Sequence, residues 1–414
     1  MKFSKLSQLF LVSTTGLLLA SFLTSCEIST IDYVFVANSS GSGTGAAGQI
    51  QTYAADSETG ALRVGPAAVP SGGVNPASMV VTSDYQNLFI ANLGDTSTGA
   101  NVTHFEIATN GVLTSKENVA FTSGSANSAA IAVNTAASDL FVTYSSPSSA
   151  NAQLVVYPIT SGALGSSSSA SVNLTIPGYA GDVVVPTGVS VLANGNAVYV
   201  SAYDQSAYNP GGTVTSNANP GWLWGFTIAS GGTLTPIAGS PWEAGVKPSA
   251  VTSDPANRFV YVTDFASNEI IGFTIQSTDV LNFMVSGPYK TGNEPQAITV
   301  DPRGLYIYVA NSLDSTISAY DITLATGAPS AAVSVTGTQA NATDTTPVAL
   351  VVDPSLGRFV YSANQQGNSI SGFKLNPNSG VLTPTIATPY PTGFKPTAIA
   401  AVPHGSHATE TISP

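Results

Sequence analysis

Downstream of residue 31 the chain alternates short apolar runs with clusters of turn-forming residues. In Ala297-Ile298-Thr299-Val300 and Tyr306-Ile307-Tyr308-Val309 the β-branched and aromatic side chains favour extended backbone, and Asp301-Pro302-Arg303-Gly304 between them carries turn chemistry. The pattern predicts a β-hairpin. It returns from Pro248 to Asp264 and from Pro347 to Asn364, and repeat openings can be read at Pro76, Ser128, Pro186, Pro248, Pro295, Pro347 and Pro396, spaced 47 to 62 residues apart. A third apolar strand follows each hairpin, as in Thr316 to Ile322, and a Gly-containing turn then leads to a fourth, as in Gly380-Val381-Leu382-Thr383-Pro384. Four short strands in a period of about 50 residues read as the blade of a propeller. No stretch of helical apolar spacing interrupts them after Cys26.

The two ends of the repeat region complete each other. Asp32-Tyr33-Val34-Phe35-Val36-Ala37-Asn38 enters at the second strand of the unit, and Pro396-Thr397-Ala398-Ile399-Ala400-Ala401-Val402 is an opening with no second strand after it. Joined, they make one blade from both termini, which closes a ring without a free sheet edge. The expected architecture is therefore all-β: a seven-bladed β-propeller over residues 32–402, four antiparallel strands per blade, followed by a flexible tail over 403–414.

The N-terminus carries a different pattern. Lys2 and Lys5 precede an apolar run from Leu9 to Leu23, and Leu23-Thr24-Ser25-Cys26 resembles the lipobox of bacterial lipoprotein signals. The resemblance implies that residues 1–25 are a signal peptide, that Cys26 becomes the lipidated first residue, and that 26–31 is a short tether. The chain is then held on the extracytoplasmic side of the outer or cytoplasmic membrane. Cys26 is the only cysteine, so no intrachain disulfide can form and stability rests on closure and packing. Charged residues make up 8% of the chain and the formal charge is −12, a balance that repels phosphate backbones and argues against nucleic-acid binding. A monomer with no cofactor is expected.

Tyr308-Val309-Ala310-Asn311, Tyr261-Val262-Thr263-Asp264, Asp301-Pro302-Arg303-Gly304 and the T-G-x-x-P openings such as Thr392-Gly393-Phe394-Lys395-Pro396 resemble the YVTN-repeat and lactonase-like seven-bladed propellers, over nearly all of residues 31–402. That group includes 6-phosphogluconolactonases and muconate-cyclising enzymes, so the resemblance implies lactone chemistry as one activity. Its active residues lie outside the repeat motif and are not transferred to positions here.

Candidate chemistry follows from the expected topology. The residue before each repeat opening should border the channel mouth, and these are Asn75, Asn127, Val185, Lys247, Glu294, Thr346 and Lys395. Three of the seven are charged in a chain with few charges, which suggests that Lys247 and Lys395 flank Glu294 and bind a small anionic or hydroxylated ligand; a solvated rim is the plain alternative. The longest insertion, Tyr203 to Pro220, brings Tyr203, Tyr208 and Trp222 as candidate ligand-binding aromatics, with Trp224 expected in the packing between blades. Glu294, Glu243 and Asp264 are the candidate carboxylates for activating water. The Asn residues ending the second strands, Asn38, Asn92, Asn311 and Asn364, are expected to cap those strands through their own backbone or a left-handed conformation. Gly43 to Gly48 spells G-x-G-x-x-G but leads into a strand, which excludes dinucleotide binding. His104, His404 and His407 are too few and too dispersed for a His-rich metal site.

The four arginines also bear on activity. Arg258, Arg303 and Arg358 fall in turns between first and second strands, on the face opposite the expected site, whereas anionic lactones favour bidentate guanidinium partners there. The primary reading is a lipid-anchored binding or interaction module for glycans or envelope proteins. The alternative is a lactonase-like hydrolase or isomerase with its site in the channel mouth, and a third is a structural surface role.

Overall fold

The computed structural model describes residues 29–40, 45–95, 97–122, 124–145, 152–178, 181–208, 220–331 and 340–405. The expected signal peptide, Cys26 and the first half of the expected tether lie outside them. So do 209–219 of the long insertion, the first residues of the glycine motif, and 406–414 of the tail with His407.

Seven antiparallel sheets are arranged in a ring. The second strands explain why the repeat reads so clearly. Phe259–Asp264, Tyr306–Asn311 and Phe359–Asn364 are buried along their whole length, because each is paired on both edges and covered on both faces by neighbouring blades. Such a strand needs apolar residues continuously. First strands such as Pro295–Val300 are only half-buried, since one side faces the central channel. These inner strands pack side by side in cyclic order around the axis.

Closure occurs where the termini meet. Thr30–Asn38 pairs antiparallel with Pro396–Pro403, placing Phe35 opposite Ala400 and Val36 opposite Ile399, and pairs on its other edge with Gln49–Asp56. We number this blade one; blades two to seven open at Pro76, Ser128, Val184, Pro248, Pro295 and Pro347. The expected four strands per blade are present, with one refinement. In every blade but the second the outermost strand is interrupted, as in Leu281–Phe283 and Tyr289–Lys290, both paired with Glu269–Ile275.

Adjacent blades are stitched by one repeated side chain. Tyr199, Tyr261, Tyr308 and Tyr361 occupy equivalent buried positions, and each hydroxyl donates to a main-chain carbonyl of the next blade: Asp279 at 2.6 Å, Gly327 at 2.7 Å, Gly380 at 2.9 Å and Gly60 at 2.9 Å. Burial is the leading reason that all four phenols titrate above the ordinary range.

The Asn ring is structural: Asn38 Nδ2 donates to the Val36 carbonyl at 3.1 Å, the local route expected, whereas the others take a different one. Asn311 Nδ2 donates to Thr316 Oγ1 and Ser318 Oγ, and Asn364 Nδ2 to Ser369 Oγ and Ser371 Oγ, at 2.9 to 3.1 Å. These amides bridge second to third strands. None of the four Asn has positive φ; the left-handed conformation falls instead on Asn75, Glu294, Thr346 and Lys395, the residues before the opening prolines. It directs the Glu294 carbonyl to Ser312 N–H and the Thr346 carbonyl to Gln365 N–H, tying each blade's entry to its own second strand.

Candidate functional site at the channel mouth

The rim is built from the residue before each inner strand and the loop after each second strand. On it a cavity of about 290 Å³ is lined by residues of blades two to six. Its floor and walls include Ala77, Leu93, Ala129, Pro186, Pro248 and Phe265, with Asn127, Ser128, Thr187, Ser249 and Gln296 supplying amides and hydroxyls and Lys247 the single charge. The mixture of apolar wall and a few polar groups suits a small ligand.

Lys247 is held from beneath. Asp264, fully buried at the end of its second strand, accepts hydrogen bonds from the N–H groups of Val246 (2.7 Å), Lys247 (3.0 Å), Ala266 (3.0 Å) and Ser267 (3.3 Å). Gly245 makes this possible, since its φ is +79° and a Cβ there would collide with that carboxylate. The candidate role of Asp264 as a base that activates water is thus displaced by a structural one: its carboxylate is engaged by four main-chain donors.

The Lys247 ammonium faces three rings, at 4.3 Å from the centroid of Phe265, 5.1 Å from Tyr208 and 5.6 Å from Tyr203. Tyr203 and Tyr208 meet edge to face at 5.6 Å. Tyr208 reaches this place on a tight turn in which its N–H bonds to the Asp204 carbonyl at 2.9 Å, while Asp204 Oδ1 accepts from Ser206 and Ala207 N–H. Burial lowers the pKa of Lys247 from the ordinary lysine value, and the nearby Glu294 carboxylate works against that shift. Burial raises Tyr208, with Asp264 and Glu294 adding to the rise. Lys247, Tyr203 and Tyr208 therefore form one constellation, on which the Glu294 carboxylate of the next blade acts electrostatically, and Phe265 joins it without having been singled out. Its only signal in the sequence is that it follows the residue ending a second strand, the position that tops the rim.

Other candidates lie apart. Lys395 is exposed over Phe394 on blade one, three blades from Lys247 and two from Glu294, so the two lysines do not flank Glu294. Glu243 is exposed on the outer-strand fragment Trp242–Glu243 and lines a separate groove with Glu269, Phe283 and Met284. Trp222 stands on Gly221–Ile228, half-buried against the core between blades three and four, and Trp224 is buried there with its indole N–H on the Thr175 carbonyl. His104 is enclosed in blade two, Nδ1 at 2.5 Å from Glu117 and Nε2 at 2.8 Å from Asn87. Among the described residues no three His, Cys, Asp or Glu side chains gather to hold a metal ion.

Arg258 and Arg303 lie on the opposite face, as their turns require, each with Nε on a carboxylate of its own turn: Asp254 at 2.7 Å and Asp301 at 2.6 Å.

Comparison with known proteins agrees with this architecture. The family model described as lactonase, 7-bladed beta-propeller, matches residues 224–338. Comparison with curated proteins gives no match. Among solved structures, a putative 6-phosphogluconolactonase from Bacteroides fragilis aligns with TM-score 0.70 and 16% identity over 91% of this chain and 99% of its own. The periplasmic gluconolactonase of Pseudomonas aeruginosa aligns with TM-score 0.70 and 18% identity over 90% and 99%. By sequence over residues 224–338, and by fold around the whole ring, the chain is similar to the lactonase seven-bladed β-propeller family.

Proposed function

We propose that this protein is a lactonase-like hydrolase that opens a small hydroxylated lactone at the channel mouth. The observation that supports this reading best is Lys247, which lines the mouth cavity, is set among three aromatic rings, and feels the carboxylate of Glu294 from the next blade, just outside the cavity's own lining. In this reading Glu294 takes a proton from water as the water oxygen bonds to the acyl carbon. The Lys247 ammonium stabilises the oxyanion that develops. The bond from the acyl carbon to the ring oxygen then breaks, and the ring oxygen takes the proton back from Glu294 to give the free hydroxy acid. Hydroxyls and amides of Ser128, Thr187, Asn127 and Gln296 are placed to orient substrate hydroxyl groups.

The test is lactone ring opening measured above the spontaneous rate. Glu294→Gln and Lys247→Ala are each expected to lower kcat/KM by about 10²-fold or more while leaving the thermal transition near that of the parent. Because burial lowers the Lys247 pKa, kcat/KM should decline as pH rises through a value below the ordinary lysine figure of about 10.4. Full activity in both variants would remove this reading. The second reading, a non-catalytic binding module for glycans or envelope proteins, draws support from Tyr203 and Tyr208 at the rim; a glycan array run beside the assay distinguishes the two.

We further propose that the protein is exported and lipid-anchored through Cys26, on the strength of the Leu23-Thr24-Ser25-Cys26 motif behind its basic and apolar segments. Cys26→Ser is expected to abolish incorporation of labelled fatty acid and release the protein from the membrane fraction. Continued labelling of that variant would refute the assignment.

A further inference from the structure

We infer that the channel-mouth site selects an uncharged lactone and discriminates against phosphorylated or carboxylated ones. This inference rests on the hydrolase reading and names its substrate class. It follows from an account of every cation in the chain, eleven lysines and arginines in all.

Lys2 and Lys5 belong to the N-terminal segment ahead of Cys26. Arg258, Arg303 and Arg358 sit in turns on the far face, and the first two are held by Asp254 and Asp301. Arg63 and Lys116 stand on outermost strands, Lys116 paired with Glu106 at 2.7 Å. Lys374 bonds to the Glu58 carbonyl at the outside of blade seven, and Lys290 pairs with Glu269 at 3.0 Å on the outer edge of blade five. Lys395 is exposed on blade one and does not line the cavity. Lys247 remains as the one cation that does.

A single ammonium is a poor phosphate site here for two reasons. Phosphate and carboxylate groups are held by bidentate guanidinium forks or by several donors of positive charge, and none of the four arginines is at the mouth. The field from Glu294 and buried Asp264 also opposes an incoming anion, and both carboxylates act on the neighbouring Tyr208. Residues 209–219 contain no Lys or Arg. What the cavity offers in quantity is neutral: apolar wall from Ala129, Pro186 and Pro248, and hydrogen-bonding groups on Ser128, Thr187 and Gln296. These suit hydroxyl groups on a compact ring.

The test compares glucono-δ-lactone with its 6-phosphate as substrates of the intact protein, at low ionic strength where charge effects are least screened. A kcat/KM at least about ten-fold higher for the uncharged lactone is expected. Gln296→Arg, which places a guanidinium in the cavity wall, should narrow that ratio, whereas a general loss of folding would lower both rates alike. Equal or faster opening of the phosphorylated lactone by the parent protein overturns the charge selection and leaves the hydrolase reading intact. If neither lactone opens, the hydrolase reading fails, and calorimetric titration with D-glucitol and 6-phosphogluconate decides the selection: tighter binding of the uncharged polyol upholds it, and tighter binding of the phosphate refutes it.

Discussion

Asp264 shows how one residue's use is set by its neighbours. At the equivalent place in four other blades the chain has Asn38, Asn92, Asn311 or Asn364, whose amides are free to donate as well as accept. Around Asp264 the main chain offers four donors, and the third-strand residue corresponding to Ser318 is Ile271, which has no hydroxyl to bridge. An acceptor-only carboxylate fits that surrounding, and it aims Lys247 into the mouth. Asp32 illustrates the opposite condition. It is fully buried, neither side-chain oxygen has a hydrogen-bond partner among the described residues, and burial raises its pKa well above the ordinary value, with Asp353 adding to the rise and Arg358 opposing it. A folded-state pKa above the unfolded value of about 3.9 means that this group's contribution to stability is complete below that value and is lost as pH rises through the raised one. Asp32→Asn is therefore expected to raise Tm near about pH 8, with the gain shrinking toward about pH 4. A variant whose Tm falls equally at both pH values would contradict this account.

At the scale of the element, the tyrosine stitch accounts for the aromatic residue that recurs in the second strands. Tyr308 is fully buried and its hydroxyl reaches the Gly380 carbonyl of the next blade. Tyr308→Phe keeps the ring and removes the donor, leaving that carbonyl buried without its partner; a loss of about 1–3 kcal/mol in chemical denaturation is expected. Unchanged stability would show that the ring alone holds the blades. The first three strands of every blade were legible from apolar runs and turn residues, because the second and third are paired on both edges and the first packs beside its neighbours around the axis, so that each needs continuous or alternating apolar side chains. The interruption of the outermost strand was not legible. Fragments such as Trp242–Glu243 and Tyr390–Pro391 are two residues long, too short for any period to register.

For the whole molecule, stability depends on closing the circle, with one blade drawn from both ends of the chain. The last strand, Pro396–Pro403, is the inner strand of a blade whose other strands come from the first described residues, and Ile399 and Ala401 complete a core shared with Phe359 and Tyr361 of blade seven. Removing residues 396–414 deletes this strand and exposes the edge of Thr30–Asn38. Loss of a single cooperative thermal transition, with aggregation, is the expected outcome. A truncated chain that melts like the intact one would show that the ring is not held by its closure.

The sequence by itself determined the number of blades, the strands within them and the joining of the two ends, because those depend on local propensity and on a pattern repeated seven times. It also marked the ring of residues before the opening prolines as the rim of the mouth. Which of those residues meet was decided only by the tertiary structure. Lys247 and Glu294 stand on adjacent blades and Lys395 across the ring, Phe265 rises beside Lys247, and Asp264 turns inward to bind main chain. A repeat reports the position of each residue within its own unit. Contact across the mouth depends on the angle between units and on which way each loop leaves its strand, and neither is encoded in the period.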